Sequence, residues 1–272
     1  MTDKPLQGQW ALILGASSGF GAATARALAA AGMNVAGVHL DLRTTLPLAK
    51  AVVADIEAAG GRALFFNTNA ADPDRRTKVL GGIEQAMAAI GSEHRIHVFM
   101  HSLAFGSVLP FIGENPEAAI TQAQMEMTLN VMAHSLVYWV QDMAWRDLLG
   151  RGSRIFSMTS EGSSMVVPTY GAVSAAKAAL ESHTRQLAME LGPRGVMVNC
   201  IQAGVTDTAA LRKIPGHDIM IETSLRRNPS GRLTTTEDVA ATIAALSHPS
   251  IQFISGSTIT VDGGEAAIGG WK

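Results

Sequence analysis

The chain holds a single cysteine, Cys200, so an intrachain disulfide is excluded and a reducing compartment, the cytoplasm, is expected. No run approaches 18 consecutive apolar residues, and no membrane-spanning helix is expected. Trp10–Leu14 follows a single Lys4 and runs at once into Gly15, too short for a signal peptide. Charge of one sign is also lacking. The 21 Lys and Arg against 23 Asp and Glu give a net charge of −2, with no general drive towards nucleic acid or an anionic membrane. No Gly-x-Ser-x-Gly elbow is present, which argues against hydrolase chemistry. His94, His97 and His101 suggest a metal cluster at first sight. Four residues of strand separate the last two by about 13 Å, too far to share one ion, and no metal is expected.

What remains is a chain of 272 residues, 47% hydrophobic and 16% charged, the composition of a soluble globular protein with a substantial core. Short apolar runs alternate with helical patterns from end to end. Strands are expected at Trp10–Leu14, Val35–Val38, Ala63–Phe66, Ile96–Met100, Arg154–Met158, Val196–Ile201 and Thr258–Val261. The intervening helices include Ala22–Ala31, Leu46–Ala59 and Thr236–Leu246. This alternation implies an α/β fold, a doubly wound parallel sheet of about seven strands with helices on both faces. No internal repeat or Pro/Ser-rich linker interrupts it. One domain over residues 8–264 is expected, with 1–7 and 265–272 as tails. The longest stretch without a pattern is Thr206–Arg232.

At the first strand-to-helix turn stands Leu14-Gly15-Ala16-Ser17-Ser18-Gly19-Phe20-Gly21. Glycines here allow a tight turn and close approach of a pyrophosphate, with the helix N-terminus facing the phosphates. Three further segments follow the strands: Asn69-Ala70-Ala71-Asp72, His101-Ser102-Leu103-Ala104, and Val261-Asp262-Gly263-Gly264. Together they resemble the short-chain dehydrogenase/reductase family over about residues 8–264, with Leu14 where that family usually has Thr. The resemblance implies a Rossmann fold and an NAD(P)-dependent oxidoreductase. It places Gly15, Ser17, Ser18, Gly19, Phe20, Gly21, Asn69, Ala70, Ser102, Leu103, Ala104, Lys177, Gly204, Thr206 and Thr208 at the cofactor. The end of the second strand is His39, neither the carboxylate that favours NAD nor the Arg that favours NADP. Asp41 and Arg43 argue in opposite directions, and Arg43, able to reach from a loop, favours NADP(H) over NAD(H).

The larger branch of the family carries Tyr-x3-Lys on one helix. Here Val173 stands four before Lys177, and the tyrosine is Tyr170, giving Tyr-x6-Lys. In a helix the pair would share one face, about 10 Å apart along the axis rather than about 6 Å. Tyr-x6-Lys is similar to the enoyl-acyl carrier protein reductase branch, and so are His101-Ser102-Leu103-Ala104-Phe105, Val198–Gly204 and Thr206–Leu211. The resemblance implies Tyr170, Lys177, Ser160 and Asn130 as the catalytic set, with Phe105, Tyr170 and Met220 at the substrate.

Hydride added to Cβ of an enoyl group lands two bonds further from the oxygen than in carbonyl reduction. A tyrosine displaced by three positions suits that geometry. Tyr170 would stabilise an enolate oxygen, and Lys177 would hold the nicotinamide ribose and favour a lowered phenol pKa. Taken singly, a tyrosine near a helix start is a packing residue and a lysine a solvated charge. A carbonyl or alcohol oxidoreductase on the same fold, and a non-catalytic NAD(P)-binding protein, therefore stand as alternatives. Arg212-Lys213 and Arg226-Arg227 flank Ile219-Met220-Ile221, either a solvated loop or a lid over a small-molecule or carrier-bound acyl substrate. The resemblance also implies a homotetramer packed through the helices around Met125–Met143 and Tyr170–Leu191.

Overall fold

Trp10–Leu14 (β1), Asn34–His39 (β2), Ala63–Asn67 (β3), Ile96–His101 (β4), Arg154–Ser160 (β5), Met197–Ala203 (β6) and Thr258–Val261 (β7) form one parallel sheet in the computed structural model, which describes residues 4–268. The strand order is β3-β2-β1-β4-β5-β6-β7, the doubly wound arrangement expected. Residues 1–3 and 269–272 of the expected tails lie outside the described residues. In the described parts of those segments one residue each is buried: Leu6, with its N–H on the Ala31 carbonyl, and Glu265, in a short turn.

Strand alternation divides the core into two layers. Trp10, Leu12 and Leu14 of β1 face one helical layer: Pro73–Ala89 (α3), Ser135–Trp145 (α5) and Gly171–Leu191 (α6). Ala11 and Ile13 face the other: Gly19–Ala30 (α1), Leu46–Ala58 (α2) and Thr236–Leu246 (α8). Burial on both faces explains why β1 reads as an unbroken apolar run. Strands β4, β5 and β6 run one or two residues further than their apolar stretches. Their last residues, His101, Ser160 and Ala203, therefore reach the sheet edge where the loops converge.

Helices around Met125–Met143 were expected, and Gln122–Leu129 (α4) and α5 supply them; the π-helical turn at Asn130–His134 that joins the two was not apparent in the sequence. The supposedly irregular stretch after Thr206 contains a short turn at Leu211–Lys213 and a helix at His217–Arg227 (α7). Within α7 only Ser224 is fully buried, so it shows no apolar stripe to read. No helix among the described residues is long and apolar enough to cross a membrane.

Candidate active site

The strand order reverses between β1 and β4, which opens a crevice beyond their C-terminal ends. The glycine turn lies there, tied by Gly15 N–H to Val38 O at 2.8 Å and by Ser102 N–H to Leu14 O at 3.0 Å. A Cβ on Gly15 would meet Ser102 O at 2.3 Å, and one on Gly21 would meet Gly15 O at 2.1 Å. Neither position admits a side chain. Ser18 caps α1 in extended conformation without a side-chain hydrogen bond to the first turn. A Cβ on Gly19 would stand 4.0 Å from the Thr208 methyl group. Uncapped N–H groups beside this cradle fit a pyrophosphate.

At the next strand end, His39 Nδ1 lies 2.8 Å from Asp41 Oδ2, and both side chains are more than nine-tenths buried. Burial works to raise the Asp41 carboxyl, but hydrogen bonding from Thr45, Ser17 and His39 outweighs it and holds the group below the usual carboxylate range. The backbone of Asp41 is tied to Asn67 at the end of β3, with Asp41 N–H donating to Asn67 Oδ1 at 2.9 Å. Arg43 is exposed and has no ion-pair partner among the described residues. Asn69 Oδ1 accepts the Ala71 N–H, and the buried Ala70 gives its carbonyl to Trp139 Nε1 at 2.8 Å. Both stay at the β3 end of the crevice.

Beyond the switch point a cavity of about 240 Å³ is lined by Phe20, Ala104, Met132, Ser160, Tyr170, Val173, Gly204, Thr206, Thr208 and Met220, among others. Tyr170 is not in the helix with Lys177; it precedes α6 as the capping residue. Its ring lies on Gly162, where a Cβ would stand 2.7 Å from Cε1. Burial raises the phenol, and the nearby Ser160 hydroxyl opposes the rise. No hydrogen bond closes between the two, so Ser160 Oγ is buried without a partner. The expected lowering of the phenol by Lys177 is not found. Lys177 is buried and is not among the residues of the cavity wall; its Nζ donates to Met158 O at 2.6 Å, and burial brings it down to about 8.

Asn130 opens the π-helical turn, one turn before Ser135, whose hydroxyl donates to Val131 O and receives His101 Nε2 at 2.8 Å. Full burial keeps His101 neutral, down at about 3. Leu103 packs on the core, whereas Phe105, expected at the substrate, is 62% exposed and lies outside the cavity wall. Of Ile219-Met220-Ile221 only Met220 lines the cavity. Arg227 of α7 gives two hydrogen bonds to Glu161, at 2.7 and 3.1 Å, and a third to the Glu265 carbonyl. The Glu265 carboxyl, raised by burial, accepts from Ser224 Oγ at 2.7 Å. This network fastens α7 to the residue after Ser160. Separations of 66 and 38 residues hid it from any local motif.

A family model described as Enoyl-(Acyl carrier protein) reductase matches residues 15–265. The chain is 28% identical to 1-cyclohexenylcarbonyl-CoA reductase of Streptomyces collinus, over 94% of this chain and 86% of that one. It is 31% identical to cyclohexanol dehydrogenase of a Rhodococcus strain, over 97% of this chain and 98% of the relative. A short-chain dehydrogenase from Burkholderia cenocepacia, solved in complex with NADP, superposes with a TM-score of 0.79 at 31% identity, covering 96% and 99% of the two chains. With these relatives, the glycine turn at the switch point and the Tyr170 cavity, the chain belongs to the short-chain dehydrogenase/reductase superfamily and is an NAD(P)(H)-dependent oxidoreductase.

Proposed function

We propose that the protein reduces the conjugated double bond of an enoyl thioester, with NAD(H) preferred to NADP(H). One observation carries the reading. Tyr170 stands seven residues before Lys177, while Val173, four before it, offers the cavity a buried apolar side chain. A carbonyl held at the usual tyrosine position would find no donor there.

When bound, the dinucleotide supplies hydride. Tyr170 Oη would donate to the thioester oxygen, on which negative charge grows as Cβ receives hydride. The raised phenol remains an O–H donor at neutral pH. Ser160 Oγ, unpartnered, would offer a second hydrogen bond to the same oxygen. Lys177 spends one of three N–H donors on Met158 O and keeps two for ribose hydroxyls. A solvent proton at Cα completes the saturated thioester. The Streptomyces relative supports this chemistry, since its name describes a thioester conjugated with a ring double bond.

The preference for NAD(H) reverses the expectation built on Arg43. A buried carboxylate, Asp41, borders the glycine turn; it suits the hydroxyls of an unmodified ribose and repels a 2′-phosphate. We also propose a homo-oligomer across α5 and α6, where Tyr138, Trp145 and Met189 stand exposed.

The second reading, carbonyl or alcohol chemistry, is favoured by the closeness of Ser160 to Tyr170 and by the Rhodococcus relative. Incubating the protein with NADH and crotonyl-CoA, acetoacetyl-CoA or cyclohexanone separates the two. Crotonyl-CoA should consume NADH, and Tyr170→Phe should slow this about 100- to 1,000-fold. Oxidation only with the ketones would replace the proposal by the second reading. Tight NADH binding without any turnover would leave a binding protein.

A further inference from the structure

Tyr170 caps α6, its carbonyl accepting the Ser174 N–H at 2.8 Å, and the direction in which it enters the helix is set by the chain before it. Val167-Pro168-Thr169-Tyr170 closes a four-residue turn through Tyr170 N–H to Val167 O at 3.1 Å. Proline sets φ of the second residue near −65°, and Thr169, the third, has φ +63. A turn of this sense calls for glycine or asparagine at the third position. Threonine is the poorest fit, because its branched Cβ crowds the backbone in the left-handed region. The other described non-glycine residue at positive φ, Asp147, is of a type that tolerates it and lies in the turn between α5 and β5. Thr169 carries a second cost at the same place: its Oγ1 is buried without a partner.

Packing on both sides holds the turn. The Phe111 ring lies over Gly171, where a Cβ would stand 2.5 Å from it, and the Tyr170 ring lies over Gly162. Two unfavourable features at one residue, adjoining the cavity's tyrosine, are the pattern of strain retained for positioning. We infer that Thr169 is a positioning residue: its strained backbone and branched side chain rigidify the turn that aims Tyr170 at Ser160. Only the kinetic arm of the test rests on the role given to Tyr170 above.

The chain contains two tyrosines, so in a Tyr138→Phe background the ultraviolet titration of phenolate reports Tyr170 alone. In that background the midpoint should lie above that of an ordinary tyrosine, as burial requires. Thr169→Gly frees the turn, because glycine populates both signs of φ. Its midpoint should fall towards the ordinary value and kcat with crotonyl-CoA should drop about tenfold at unchanged KM for NADH. Thr169→Asn, compatible with the turn, should keep the raised midpoint and melt about 2–4 °C higher. A fall in Tm for Thr169→Asn would show that no strain was present, and an unmoved midpoint for Thr169→Gly would show that the turn does not hold Tyr170. Either overturns the inference. A moved midpoint without turnover of any enoyl thioester would leave the inference standing and remove the proposed reaction instead.

Discussion

Replacing Lys177 by methionine tests what it costs to bury this ammonium beside Met158 O. A fall from 10.5 to about 8 corresponds to about 3 kcal/mol of differential proton binding. The sign follows from which state holds the proton. Between about pH 8 and 10.5 the unfolded chain keeps Lys177 charged and the folded chain does not, so the folded state gains stability as pH rises through that window. Below about 8 both states are charged, and the folded state bears the full burial cost. Lys177→Met removes this dependence, together with the smaller pull that the Lys177 charge exerts on His101 and Cys200. Urea unfolding of the cofactor-free proteins at pH 7 and 10.5 gives the difference in unfolding free energy between wild type and variant at each pH. That difference should move in favour of the wild type by about 3 kcal/mol on going to high pH. The Met158 carbonyl, orphaned in the variant, shifts both values equally and cancels. A difference constant to within about 0.5 kcal/mol, the spread of independent effects, would refute the burial argument.

Asp41→Asn should weaken NADH binding about ten- to a hundredfold, the worth of charged hydrogen bonds of roughly 1.5–3 kcal/mol, and should narrow the gap to NADPH; fluorescence titration of both dinucleotides reads this. Gly21→Ala forces a methyl group against Gly15 O, 2.1 Å away, and should abolish NADH binding in the same titration while circular dichroism still reports a folded sheet. Arg227→Met leaves the Glu161 carboxylate without its guanidinium, and limited proteolysis should cut near α7 faster than in wild type. Trp145→Asp places a charge on the exposed apolar face of α5 and should lower the mass measured by light scattering.

Much of the fold was legible because it rests on local periodicity. Seven apolar runs separated by helical patterns admit few topologies once crossovers are right-handed, and the sheet follows. The glycine turn was legible for a similar reason: backbone clashes at Gly15 and Gly21 are short-range and leave a glycine in the chain as their mark. Helix α7 was missed because it buries almost nothing, and the π-helical turn at Asn130 because it changes hydrogen bonding without changing residue pattern.

The sequence by itself determined which residue types were available to the site: a tyrosine seven before a lysine, a valine in the gap, and a serine at a strand end. Only the tertiary structure decided what they do there. It put Tyr170 on a strained turn at the start of the helix, turned Lys177 inward to Met158 O, buried Asp41 against His39 while leaving Arg43 exposed, and left Phe105 outside the cavity. The physical reason is common to all four. Desolvation and hydrogen-bond partnership depend on what the rest of the chain brings within a few ångströms, and spacing along one segment does not record that.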